Sequence, residues 1–516
     1  MLPEVTHPCR RALSRPAIAL AALTLAIAAV PRTALLLDDR TWSDEDAVLL
    51  QGWALYDAPE WPSRFQRSGV LPTPTMSRVL NTVRNGAYPP GMPLLVSSFR
   101  GSSHPVRHIR WLLFGLAMTM LVIAYRVASE AGTRWVGLLA MAYLASSPLL
   151  THLGQQIKWS AIAPPLALIS AHLLLRLDRT ATWQQRAGYI VSLGLLLHVH
   201  YFCVWVIPGH ALFVLSQRRE EWRQRLADLT VGFLTVVPWY VWALPRQLAF
   251  VEKHFHEVAR RQIDSWNAPV DAWSAAAAWG YDLASGLGFL PSPLRARYLL
   301  PFVVVCLAMV LLALISDRPR RRDVAGLALS CFAVALVAQT LYALKEGNVV
   351  PLQPTYLSPW VPLVLIAAML GADEVRRAGV RICLVAGVLG SSATTVAVTP
   401  VAPAIAESRG PTSYATVCAY LNAGHSPSRL VVHPRDMPAK LMNIACPIAG
   451  GQLIGLERAL QLPARINRLT VIGSCTQALH PPRGWQIAEA GCVSNLALTE
   501  LTRHTAAARE ELRSKP

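Results

Sequence analysis

The 516-residue chain is 53% hydrophobic and only 15% charged, with a formal net charge of +18 carried mostly by arginine. A soluble globular domain carries roughly a quarter charged residues, so the composition excludes an ordinary soluble fold. Apolar runs separated by short arginine-rich pieces describe instead an all-α polytopic membrane protein.

In chain order, the first apolar run (16–37) follows Arg10, Arg11 and Arg15 and reads as a retained signal anchor. Further spans are predicted at 110–128, 134–152, 160–177, 187–200, 202–217, 227–244, 298–316, 324–343, 356–373 and 381–399, about eleven in all. The stretch 187–217 reads as two short helices joined at His198–Phe202 (HVHYF), which leaves Arg186 and Arg218 on one side. Arginines cluster in every second short loop, as around Arg176, Arg218, Arg320 and Arg376. That is the distribution of cytoplasmic loops, not of a nucleic-acid-binding face.

This topology predicts a membrane module over 1–399, with a cytoplasmic N-terminus and multi-pass insertion in the inner membrane. Outer loops are expected at 38–109 and 245–297, with a short third at 344–355. Residues 400–516 form an extracytoplasmic domain, read as a small α/β unit with a helix at Tyr414–Leu421 and strands at Arg429–Pro434 and Leu469–Ser474. Four cysteines there (Cys418, Cys446, Cys475, Cys492) suit up to two disulfides in an oxidising compartment, with the pairing open. Cys203, Cys306, Cys331 and Cys383 read as small core residues of the spans, and no cysteine spacing resembles a zinc site.

Five stretches carry chemistry. Asp44, Glu45 and Asp46 are consecutive acids just past the first run; Ser43 with Asp46 fits a capping box and predicts a helix starting at Asp44. Leu49, Trp53 and Tyr56 then share a stripe that suits an interfacial helix. Acids in a first turn also favour the helix dipole without any catalytic duty, so the spacing fits a cap and an active site equally. Tyr88-Pro89-Pro90 predicts an extended loop that brings an aromatic ring to the membrane surface. Lys158, in GQQIKWS (Gly154–Ser160), is an outer cation at bilayer depth that suits an anion such as a lipid phosphate or an interface-snorkelling role. His198 and His200 cannot share one helical face, so HVHYF implies a turn. Tyr356 and Trp360, in PLQPTYLSPWVPL (Pro351–Leu363), read as interface anchors.

The order of these pieces over about residues 16–375 resembles the GT-C superfamily of integral-membrane glycosyltransferases. It is most similar to the branch holding protein O-mannosyltransferases and aminoarabinose-lipid A transferases. The likeness rests on Asp44-Glu45, Tyr88-Pro89-Pro90, Gln155 with Lys158 and Trp159, His200-Tyr201, and Tyr356-Leu357 with Pro359 and Pro362.

The resemblance implies an inverting transfer of a sugar from a polyprenyl-phosphate donor to a hydroxyl of a cell-envelope acceptor (lipid, polysaccharide or protein). Asp44 would be the base and Glu45 its support or an acceptor-orienting group. Lys158, Arg84 and His200 would attend the donor phosphate; Tyr88, Gln155, Tyr201 and Tyr356 would line the substrate site. Lys158 stands where the family more often has Arg, which puts bidentate phosphate holding in question. The resemblance does not extend to the paired Asp-x-Asp of the strongly metal-dependent oligosaccharyltransferases, so a divalent metal stays open. The rival readings are a transporter or flippase of envelope lipids, and a membrane-anchored scaffolding protein.

Overall fold

The computed structural model describes residues 15–33, 36, 43–54, 75–86, 88–100, 102, 104–178, 180–217, 220–261, 295–346, 354–375, 430–433, 453–455, 468–474, 485–493 and 496–503. The predicted span at 381–399, the helix at Tyr414–Leu421 and the disulfide cysteines' side chains lie outside them, as do the side chains of Asp44 and Asp46.

The helices are α1 (Arg15–Thr33), α2 (Ser43–Gly52), α3 (Met76–Arg84), α4 (Gly91–Ser98), α5 (Pro105–Ala131), α6 (Arg134–Ser146), α7 (Pro148–Gln155) and α8 (Trp159–Leu175). Then come α9 (Trp183–Val199), a 3-10 turn (Tyr201–Trp205), α10 (Val206–Gln217), α11 (Trp222–Leu234) and α12 (Val237–Arg261). The last are α13 (Arg295–Leu314), α14 (Pro319–Glu346), the single turn α15 (Pro354–Leu357) and α16 (Val361–Glu374).

Their starts follow local chemistry. Pro105 and Pro319 open α5 and α14, where a missing N–H costs nothing. Thr133 caps α6, and Thr182 with Gln185 forms a reciprocal capping box on α9.

Among the described residues, two helices (Pro105–Ala131 and Pro319–Lys345) are long and apolar enough to cross a membrane alone, and two bent pairs pass that test together. Large apolar side chains such as Val30, Val241 and Ile315 stay exposed on the bundle, a surface suited to lipid. Cys203, Cys306 and Cys331 are buried thiols of the helices, as expected. Gly371 of α16 meets the Met309 carbonyl of α13 so closely that no side chain fits between them.

Two predicted spans are bent. The one at 134–152 turns by 67° between α6 and α7, because Ser147 leaves the helix to cap Leu150 N–H and Pro148 restarts it. Arg32 of α1 makes the break tolerable by donating to the freed carbonyls of Leu144 and Ala145. The one at 227–244 turns by 48° between α11 and α12, just ahead of Pro238.

In the C-terminal region the described residues form one five-stranded sheet of order β2-β1-β3-β5-β4. The strands are β1 (Leu430–His433), β2 (Leu453–Gly455), β3 (Arg468–Ser474), β4 (Trp485–Val493) and β5 (Leu496–Arg503). β1 runs parallel to β2 and β3, whereas β5 is antiparallel to β3 and β4. The two predicted strands are β1 and β3. The other three were missed: β2 is short, and β4 and β5 mix charged residues into their alternation.

Candidate functional site

Helix α2 is not the interfacial helix its stripe suggested. Glu45, Leu49, Gln51 and Trp53 are all buried within the protein. An acid can be buried there because its charge is matched. One Glu45 carboxylate oxygen accepts from the Ile157 N–H at 2.6 Å, and the other takes the Arg110 guanidinium at 3.2 Å. Both side chains of that ion pair are at most 1% exposed. Glu45 thus ties the acid-bearing helix to the loop between α7 and α8, and so to Gln155, Lys158 and Trp159. The chain leaves α2 through Ala54 in the left-handed region (φ 56°), and Arg100 at the end of α4 donates to the Trp53 carbonyl.

The loop opens into α8. Lys158 occupies the N-cap position with extended backbone, half-buried. The helix begins at the next residue, so the lysine and the positive end of the α8 dipole coincide. Trp159, first in the helix, stacks on His200 with ring centroids 3.9 Å apart at 26°. Tyr356 stacks on the same Trp159 at 5.5 Å and 16°. Phe202 meets Tyr356 edge-on at 4.7 Å, and Tyr88 faces His200 at 6.3 Å.

The helix break at HVHYF aims His200. Val199 ends α9, His200 is extended, and its Nδ1 accepts from the Phe202 N–H at 3.2 Å. An accepting Nδ1 places the proton of the neutral ring on Nε2. The predicted turn is therefore present, and it makes His200 a donor held in a buried aromatic box. His198 is directed elsewhere, with its Nε2 3.3 Å from the Thr235 carbonyl. Tyr356 and Trp360 are not surface anchors: Tyr356 lies in the box, and Trp360 is buried beside it in sequence. Tyr88 likewise turns its ring toward His200, and Pro90 turns helical to start α4. Gly91 follows because a β-carbon there would lie 2.6 Å from the His198 carbonyl.

The structure thus brings Glu45, Tyr88, Lys158, Trp159, His200 and Tyr356 to one end of the bundle, from five separate stretches. Gln155 is buried at the end of α7, in the same loop. Arg84 and Tyr201 go to a neighbouring group. Tyr201 accepts from the Trp239 indole at 3.3 Å and lies 5.2 Å from Tyr240; Arg84 covers the Trp242 ring at 4.4 Å.

Sequence reading missed Arg110 and Gln247. Arg110, an arginine at the very start of an apolar run, was a legible cue. Gln247 was not, yet its buried amide donates to the carbonyls of Val83 and Tyr88, both at 2.7 Å. Among the described residues, no three His, Cys, Asp or Glu side chains come close enough to share a metal ion.

No family model and no curated protein matches the sequence. The fold, however, is similar to that of ArnT from Cupriavidus metallidurans in the apo state. The TM-score is 0.55 over 94% of this chain and 98% of that one, at 12% identity. The structure of ArnT from Cupriavidus metallidurans bound to undecaprenyl phosphate is similar over 93% of this chain and 98% of that one, with a TM-score of 0.52 and 12% identity. The chain therefore shares the fold of these two ArnT structures.

Proposed function

We propose that the protein is an inverting glycosyltransferase that moves a sugar from a polyprenyl-phosphate donor to a hydroxyl of a cell-envelope acceptor at the outer face of the inner membrane. The observation that carries this reading is the convergence of Glu45, Lys158, Trp159, His200 and Tyr356 on one end of the bundle. Its fold supports the donor class, because the similar ArnT has been solved with undecaprenyl phosphate.

In this reading Asp44 is the base. It takes the acceptor proton as the hydroxyl oxygen bonds to the anomeric carbon, while the bond from that carbon to the phosphate oxygen breaks. The polyprenyl phosphate leaves with the electron pair, and a single displacement inverts the anomeric centre. Glu45 has both oxygens engaged, so it serves by holding α2, and with it Asp44, against the Lys158 loop. Lys158, the α8 N-terminus and the Nε2–H of His200 form the cationic and donor side, which offsets charge growing on the leaving phosphate. Tyr88, Trp159 and Tyr356 wall the site with aromatic faces that exclude water.

The test is transfer from radiolabelled polyprenyl-phosphate sugars by membranes carrying wild type or Asp44→Asn. A general base contributes roughly 10²–10⁴ in rate, so the variant is expected to lose activity on that scale. Transfer at the wild-type rate by Asp44→Asn would remove Asp44 as base. A wild type that consumes no polyprenyl-linked sugar would remove the enzyme class.

A further inference from the structure

Gln247 of α12 and Gln339 of α14 each direct a buried amide at the backbone of a tyrosine whose ring faces His200. The Gln247 Nε2 donates to the Tyr88 carbonyl at 2.7 Å, and the Gln339 Nε2 donates to the Tyr356 carbonyl at 3.0 Å. Both glutamines are at most 1% exposed. The two tyrosine rings lie 6.3 Å and 5.5 Å from the His200 ring. The amides come from helices that carry none of the aromatic residues around His200.

The backbone they hold is irregular. Tyr356 lies in the single turn α15, and the Trp360 N–H goes to the Leu357 carbonyl at 2.9 Å. So short a helix leaves its carbonyls without intrahelical donors, and Gln339 supplies one. Tyr88 lies in a bend ahead of α4, where Gln247 supplies another.

Stability alone does not explain the two amides. In each, the Oε1 atom is buried and accepts no hydrogen bond among the described residues. A buried oxygen left without a donor costs about as much as one hydrogen bond contributes, or more. Methionine, of similar length, would remove a donor from the tyrosine carbonyl and remove the orphaned Oε1 with it, two changes that oppose each other. The other acceptor of Gln247, the Val83 carbonyl, also takes the Gly86 N–H at 3.0 Å and so keeps a donor without the amide. Gln339 moreover lies in a helix long and apolar enough to cross a membrane alone, where a polar side chain marks a duty.

We propose that Gln247 and Gln339 are positioning residues of the reaction centre. Each fixes a tyrosine from outside, so that Tyr88 and Tyr356 keep the His200 ring, and its Nε2–H, in place for the leaving phosphate. The role in transfer rests on the glycosyltransferase reading, whereas the placing of the rings does not.

Three arms test it with the full chain in nanodiscs. In the first, the protein carries meta-fluorotyrosine, and fluorine NMR reads Tyr88 and Tyr356, assigned by their Phe variants. Gln339→Met is expected to shift or broaden the Tyr356 signal more than that of Tyr88, and Gln247→Met the converse. Unmoved signals overturn the proposal. In the second, each variant is expected to keep its unfolding midpoint within about 2 °C, while kcat and kcat/KM fall together by about tenfold or more. A variant that does not fold, or one whose transfer per folded molecule is unchanged, overturns it. The third arm joins Gln339→Met to Tyr356→Ala. An amide acting through the ring then changes kcat by less than about twofold further, and a further tenfold loss overturns that route. If the wild type consumes no polyprenyl-linked sugar, the transferase reading fails, and the fluorine signals alone decide whether the glutamines place the rings.

Discussion

The two ends of the helix bundle treat arginine in opposite ways. At the end away from the candidate site, several arginines are matched to acids among the described residues. Arg321 is buried between Asp373 and Glu374 of α16 and also reaches the Ala131 carbonyl at the end of α5. Arg176 pairs with Glu130, and Arg186 holds Asp228 across α9 and α11 at 2.8 Å. These contacts join helices across that end of the bundle. At the site end, Arg32 is buried against carbonyls alone, and Arg84 and Arg246 make no acid pair among the described residues. One acid pair there, Glu45 with Arg110, is sealed from water. A matched cation closes a structure, whereas an unmatched one leaves charge for a ligand.

The comparison breaks most sharply at Glu45. Glu45→Gln leaves Arg110 charged and buried, which is expected to cost about 3–5 kcal/mol, read as a lowered unfolding midpoint in detergent. Pairing it with Arg110→Met removes the stranded charge and is expected to restore much of that loss. A smaller loss is expected at the far end. Asp373 and Glu374 keep part of their exposure, so Arg321→Met is expected to cost about 1–3 kcal/mol. Transfer per folded molecule should stay at the wild-type rate. His200→Phe sharpens the comparison further, since it keeps the stack on Trp159 but deletes the Nε2–H. It also strands the Phe202 N–H that Nδ1 accepted, so stability is expected to fall by about 1–3 kcal/mol, while kcat per folded molecule falls by about tenfold or more. The smallest effect on stability is expected for Arg84→Gln, whose unfolding midpoint should move little, because its hydrogen bond and ring contact to Trp242 lie at the surface and it makes no ion pair among the described residues. A large loss there would mean that Arg84 is structural.

Much of this was legible in the residues. Apolar runs and arginine spacing dictate a helical membrane protein, because backbone groups in lipid must be satisfied within helices. The break at HVHYF could be read from histidines two apart, and the strands β1 and β3 from their apolar runs. The order of the motifs along the chain suggested one site before any geometry was known.

Other features depended on contacts that sequence spacing does not encode. The acids after the first span fitted an interfacial cap and an active site equally, since the stripe of Leu49 and Trp53 fits a helix lying in lipid as well as one buried in protein. Only Arg110, 65 positions away, and the Ile157 N–H, 112 positions away, show why Glu45 can be buried. Likewise, local sequence could not place Arg84 over Trp242. Its partner Trp242 lies 158 positions along the chain, and Gln247 brings α12 against α3. Periodicity and charge spacing are local properties, so the sequence by itself determined the helices, the breaks and the kinds of side chain available. Which of those side chains meet, and which charges are left unmatched, was decided by long-range packing alone.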